Sequence, residues 1–201
     1  MRIYSIKPKF QKFLSPIKNL FIKYNVHPTI INILALLFSI LGGFLIYYSS
    51  FNIWLLIYIP FIAFIRTALN ALDGLVAREL KVKNQEYGEV LNEFIDRLSD
   101  VAFFFGIILA TYTNILLGSI TLVVVLLSSY LGIVSKAAGG KRQYIGLMGK
   151  ADRMFYLSVA AVLILILKNL EIMNWFLIFV LVLGVITIFQ RFFTIKKELK
   201  K

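Results

Sequence analysis

Two runs of polar residues at helical spacing hold the chemistry of this chain. Arg66, Asn70, Asp73 and Ala77 lie three or four positions apart, and Gly88, Asn92, Asp96 and Asp100 lie four apart. A helix advances about 100° per residue, so each set falls on one stripe. On consecutive antiparallel helices two such stripes face each other, presenting carboxylate and amide oxygens. Hard oxygens of this kind suit Mg2+, Mn2+ or Ca2+. The chain has no cysteine, and its single histidine, His27, is far away in sequence, so no softer ligand set competes. The stripes therefore predict a divalent-cation site drawn from Asp73, Asn70, Asn92, Asp96 and Asp100. Gly74, Ala77 and Gly88 leave the adjoining faces bare, so that a bulky ligand reaches the backbone. The competing reading is helix packing, which is common for small residues in membrane bundles.

The elements that must position these stripes are apolar. Of 201 residues 60% are hydrophobic, against roughly 45–50% in soluble chains, which marks an all-α integral membrane protein. Too few polar residues remain for a separate soluble domain, so residues 1–201 form a single membrane domain. About 20 residues cross the hydrocarbon core, and six segments meet that length: 28–49, 53–78, 89–112, 114–136, 150–168 and 173–194. Seven of the ten acidic residues lie between Asp73 and Asp100, beside two of these segments. The second segment is long enough for its last turns, with Asp73 and Arg78, to emerge into water.

The basic residues give the orientation. They gather in the leader, in Arg78 to Lys83, in Lys136 to Arg153 and in the tail from Arg191, while the turns near Ser49 and Thr113 have none. The positive-inside rule then places both termini and the acidic stretch in the cytoplasm. A net charge of +12 divided among short inter-span segments serves topology and phosphate binding, so nucleic acid is not an expected partner. In residues 1–26 Phe10, Phe13, Leu14, Ile17, Phe21 and Ile22 recur near helical spacing between lysines, which predicts an amphipathic helix on the anionic cytoplasmic surface. No apolar h-region follows its first basic residues, so it does not read as a cleaved signal. Residues 28–194 make the six-helix bundle and 195–201 a basic tail. Pro28 opens the first span, at a position where a missing N–H costs nothing. Gly42 and Gly43 permit a close helix contact, and His27 is a headgroup-level residue with no assigned chemistry.

A second cluster lies between the fourth and fifth spans. Lys141 and Arg142 are basic residues of a cytoplasmic loop, whereas Lys150 and Arg153 sit three apart at the start of a helix. Helix N-termini favour anions, and two cations there strengthen a phosphate site. Arg66, an ionisable group within a span, marks either function near a phosphate or an ion pair that fixes helix packing.

Combined, these features resemble the CDP-alcohol phosphatidyltransferase family, whose signature is D-x-x-D-G-x-x-A-R, a short spacer, and G-x-x-x-D-x-x-x-D. The match falls at Asp73, Gly74, Ala77, Arg78, Gly88 and Asp96, and the leader and six spans extend it over the chain. The run from Ile65 through Asn70 to Gly74, with the acidic run ending at Asp100, resembles a bacterial branch without an assigned substrate. The resemblance implies that an alcohol attacks the lipid-side phosphorus of a CDP-linked lipid and CMP leaves, as a step in phospholipid synthesis. It implies one or two Mg2+ or Mn2+ ions and a general base at Asp96. It further implies a nucleotide site at Arg66, Gly74, Ala77, Arg78 and Gly88, and an acceptor or phosphate site at Lys141, Arg142, Lys150 and Arg153. The acceptor is then a small alcohol, phosphorylated in some members, and the assembly a homodimer in the cell membrane. Asn70 and Asn92 replace the first and third aspartates of the signature, removing two charges. Three outcomes follow: one ion only, compensation by Asp100 or by Glu89 and Glu93, or a CDP-lipid-binding protein with weak or no turnover. A second register, with Asp96 and Asp100 as the paired acids, needs a much longer spacer.

Overall fold

The computed structural model describes residues 7–81 and 85–199, so the first six residues of the leader, Lys83 and the last two of the tail lie outside the described residues. Regular structure among the described residues is helical throughout. The predicted leader is two short helices, α1 (Lys7–Phe13) and α2 (Ser15–Lys23). Pro16 in the first turn of α2 has no N–H to continue α1, which explains the break. At the break Leu14 is fully buried and packs with Ile31, Ala35, Leu72 and Val76. Phe10 meets Phe64 edge to face at 6.0 Å, and Lys18 reaches Glu79 at 2.8 Å. The leader is thus fastened to the bundle, with Phe13, Ile17 and Leu20 left exposed.

The six predicted segments are six helices. The first, α3 (Pro28–Tyr48), starts at the proline, and the His27 ring accepts a hydrogen bond from the Thr29 N–H at 3.3 Å. The sole histidine therefore caps a helix, meeting one of the orphan donors at its start. Asn52 caps a 3-10 turn (Ile53–Tyr58) that runs into α4 (Ile59–Glu79). After it come α5 (Gln85–Leu109), α6 (Ile115–Ala137), α7 (Lys150–Leu167) and α8 (Ile172–Leu199). Four stretches, Pro28–Tyr48, Ile53–Glu79, Ile115–Ala137 and Ile172–Leu199, are long and apolar enough to cross a membrane. The other two long helices, α5 and α7, carry most of the buried charge of the bundle.

α3 packs against both α4 and α5, α7 bridges α4 and α8, and α6 lies along α8. The α3–α5 contact depends on glycine: a Cβ on Gly43 would strike the Ala102 carbonyl, and one on Gly106 would strike Gly43 itself. Where both solvent and core are apolar, such close packing and buried polar contacts hold helices together. One apolar cluster, with Ile59, Phe103, Ile107, Leu157, Ala161 and Leu177, joins α4, α5, α7 and α8, and a second, with Ile31, Ala35, Leu69, Leu72 and Val76, joins α3 to α4.

Residues 138–149 connect α6 to α7 irregularly and roof the polar half. Gly146 adopts φ +135°, and a Cβ there would collide with Thr187. The Thr187 hydroxyl accepts from the Leu147 and Met148 N–H groups at 3.1 and 3.0 Å, pinning the loop to α8. The Asp152 carboxylate accepts from the Gly149 N–H at 2.9 Å, which fixes where α7 begins.

Candidate active site

The two stripes face each other as their spacing predicts. Arg66 on α4 donates to Asp100 on α5 at 3.0 Å, and one turn on Asn70 donates to Asp96 at 2.6 Å. These contacts are rungs of an antiparallel ladder. α7 completes both rungs: Arg153 donates to the second Asp100 oxygen at 2.8 Å, and the Lys150 ammonium pairs with the Asp96 oxygen that Asn70 also contacts.

The Arg66 rung is closed. Asp100 is 0% exposed, Arg66 1% and Arg153 2%, and the Arg66 guanidinium lies over the Phe103 ring at 5.9 Å. Each Asp100 oxygen is taken by a guanidinium, with Arg97 at 4.0 Å. Both oxygens of Asp100, expected from sequence among the metal ligands, are thus engaged by arginines. Arg66 stands in a buried ion pair beneath the cavity. The physical reason is cost, because a buried carboxylate between two buried arginines cannot leave either of them unpaired.

The Asn70 rung opens onto a cavity of about 510 Å3. Asp96, Asn70 and Thr67 form one wall, the 142–149 loop another, and α6, α7 and α8, with Phe10 of α1, the rest. Arg97, Arg142, Lys150, Arg153 and Arg191 line it against only Asp96 and Asp152, so the space is strongly cationic. Of the four predicted acceptor residues, Arg142, Lys150 and Arg153 line this cavity, whereas Lys141 is exposed outside it and gives its backbone N–H to Glu198 at 2.8 Å. Glu89 and Glu93 supply no spare charge: Glu89 pairs with Lys136, and Glu93 with Arg142 and, at 3.7 Å, with Arg97.

Asp73 is buried at the upper end of the α4 stripe, with one oxygen accepting from the Gly74 N–H at 2.7 Å. Asp96 and Lys150 are within electrostatic reach of it, and the Asn32 side chain of α3 lies against it. The buried carbonyl oxygens of Asn32 and Asn92 have no hydrogen-bond partner. Unpartnered amide carbonyls are the kind of hard oxygens that a divalent ion takes. Among the described residues, though, no three Asp, Glu, His or Cys side chains converge. Gly74 and Gly88 are exposed, and a Cβ on either would meet nothing within 4 Å, so neither is a packing glycine. Ala77 is half-buried and Arg78 exposed on the same end of α4.

Sequence reasoning missed Asn32, Arg97 and Arg191. Arg191 donates to the carbonyls of Ile145 at 2.8 Å and Ser128, tying α8 to the loop and to α6 while lining the cavity. The signal was available: Asn32 and Arg191 are polar residues within long apolar runs, and Arg97 directly follows Asp96.

No family model matches the chain. It is 36% identical over 153 residues to inner membrane protein YnbA of Escherichia coli K12, covering 76% of this chain and 75% of that one. It is 28% identical over 195 residues, 97% of each chain, to archaetidylinositol phosphate synthase of Pyrococcus horikoshii. The fold matches phosphatidylinositol phosphate synthase of Mycobacterium tuberculosis with CDP-DAG bound, at a TM-score of 0.76 and 22% identity over 92% of this chain and 94% of that one. The same enzyme in complex with manganese and citrate matches at 0.74 and 23% identity, over 90% and 87%.

Proposed function

Because the chain belongs to the CDP-alcohol phosphatidyltransferase family, we propose that it transfers the phosphatidyl-type group of a CDP-linked lipid to an anionic alcohol, releasing CMP. One observation carries this reading: Asp96 stands at the wall of a cavity lined by five cations, next to a helix end whose glycines are bare. The cations suit an acceptor with a phosphate, and Asp96 is the one carboxylate on the cavity wall not spent on capping a helix. Asn70 and Lys150 orient its Oδ1, leaving Oδ2 with only Arg97 at 3.9 Å. From there Asp96 takes the proton of the acceptor hydroxyl. The alcohol oxygen bonds to the lipid-side phosphorus as the bond from that phosphorus to the CMP oxygen breaks. Arg142, Lys150, Arg153 and Arg191 hold the acceptor's phosphate, and Gly74, Ala77, Arg78 and Gly88 give the cytidine a surface without side chains in the way.

Asp73, with the carbonyls of Asn32 and Asn92, would hold Mg2+ or Mn2+. Such an ion neutralises the pyrophosphate and steadies the leaving oxygen. M. tuberculosis phosphatidylinositol phosphate synthase, whose fold this chain shares, forms a complex with manganese, which supports a divalent ion here. We place the site at the cytoplasmic face by the positive-inside rule, with α5 and α7 as the third and fifth of six spans, since their buried charges face the bundle and not lipid.

The test is CMP release from CDP-diacylglycerol by the purified protein with Mn2+, across paired neutral and phosphorylated polyols. Turnover confined to phosphorylated members is expected, and equal turnover of the neutral partners overturns the anionic-acceptor reading. A second reading has one observation in its favour: Asp96 Oδ1 is already engaged by Asn70 and Lys150. In it the chain binds a CDP-lipid without turnover, and tight CDP-lipid binding with no CMP release across the whole panel decides for it.

A further inference from the structure

The residues at this site do not fit two divalent ions equally well. Asp96 Oδ1 accepts the Asn70 amide at 2.6 Å and the Lys150 ammonium together, so both of its lone pairs are used. An ion at that oxygen would have to expel an ammonium. The other end of the site is the reverse: the Asp73 carboxylate has the Asn32 side chain against it, the buried carbonyls of Asn32 and Asn92 lack partners, and Asn92 lies one turn beyond Asp96 on the same stripe.

We propose that Lys150 supplies, from the protein itself, the positive charge a second ion would bring, and that the site therefore loads a single divalent ion on the Asp73 side. The inference rests on the phosphatidyl-transfer reading above.

Three features support it. First, Lys150 is in the opening turn of α7, where the helix dipole disfavours a cation. A lysine at that place needs an anion to face, and the anion it faces is Asp96. Second, it is not a drifting surface lysine, because Asp152 and Thr187 fix the start of its helix and the loop before it, and its side chain is 22% exposed. Third, the charges match. With asparagine at positions 70 and 92, two carboxylates remain, and Lys150 already offsets one of them. A second divalent ion would then lie beside an ammonium with no acid of its own, in a partly buried place where such repulsion is poorly screened. Asn70 contributes to the same end, since its amide N–H donates where an aspartate would repel Asp96.

The experiment is a Mn2+ titration of the full-length protein in lipid nanodiscs without CDP-lipid, read by electron paramagnetic resonance and by bound Mn2+ per chain. One Mn2+ per chain with the spectrum of an isolated ion is expected. The triple variant Asn70→Asp, Asn92→Asp and Lys150→Met should take up two, with a spin-coupled spectrum. Lys150→Arg, which keeps the charge, should stay at one and guards against a folding defect in the triple variant. Two coupled ions in the unaltered protein overturn this inference and leave the phosphatidyl-transfer reading standing. No bound Mn2+ at all overturns this inference, and CDP-diacylglycerol binding by the same sample then shows whether the broader reading falls with it.

Discussion

The Arg66–Asp100–Arg153 rung and the Asn70–Asp96–Lys150 rung follow one plan. Each takes a donor from α4, an aspartate from α5 and a cation from α7, and they are one helical turn apart. They differ in what surrounds them. The first is sealed, with an arginine on each carboxylate oxygen, while the second faces the cavity and stacks both donors on one oxygen. The difference separates holding from working: the same three helices are locked at one level and left available at the next. An arginine guanidinium, planar and rich in donors, suits the lock, whereas a lysine on a flexible stem suits a place where partners change.

The harshest way to break the comparison is to remove the lock. Asp100→Ala leaves two guanidiniums buried without an anion, and the expected loss is about 3–5 kcal/mol of stability, visible as failure to purify as a monodisperse species or as a large fall in unfolding midpoint. Asp96→Asn, one turn away, is expected to do the opposite. CMP release should fall by about 10²–10⁴-fold, the usual range for a lost general base. Its unfolding midpoint should fall much less than that of Asp100→Ala, because the amide still accepts from Asn70 and the Lys150 ammonium it leaves unpaired is partly exposed. If the two variants lose stability alike, the division between lock and working rung is wrong.

How far this division could be read from sequence depends on chain separation. Both stripes were legible, since four-residue spacing within a helix is local information, and so were the helix starting at Pro28 and the tight contact at Gly43. The partner of Asp100 was not: Arg153 is 53 positions away, and nothing near either residue announces the pair. Without it, the buried pairing of Asp100 with Arg66 and Arg153 could not be read from the chain. The place of Lys141 outside the cavity was hidden for a related reason. A loop rich in lysine and glycine does not reveal which of its cations turns inward, and that depends on Gly146 packing against Thr187 on a distant helix. Asn32 and Arg191 were legible but passed over, each being a polar residue inside an apolar run.

Replacing the whole lock sharpens the comparison further. Buried ion triads exchanged for apolar side chains of similar volume are often neutral or more stable by about 1–4 kcal/mol. Arg66→Met, Asp100→Leu and Arg153→Met together should therefore keep or raise the unfolding midpoint. They should also raise the KM for a phosphorylated acceptor, because Arg153 lines the cavity as well as closing the rung. A midpoint that falls as far as it does in Asp100→Ala would mean that the charges specify the helix arrangement and do not merely satisfy one another.

The smallest effect separates the two kinds of glycine. Gly43 is wedged against Ala102, so a methyl there must push α3 off α5. Gly74 has nothing within 4 Å of its missing Cβ and lies in an exposed part of α4. On helix propensity alone Gly74→Ala should stabilise the protein by about 0.5–1 kcal/mol, since alanine loses less backbone freedom. A glycine kept at a place where alanine is more stable and sterically free points to something outside the chain that needs the room. The expected result is a higher unfolding midpoint together with a raised KM for CDP-diacylglycerol and an unchanged KM for the acceptor. A higher midpoint with both KM values unchanged would remove the bare face of α4 from the nucleotide site and leave the cavity beside Asp96 as the one surface where substrate selection is built.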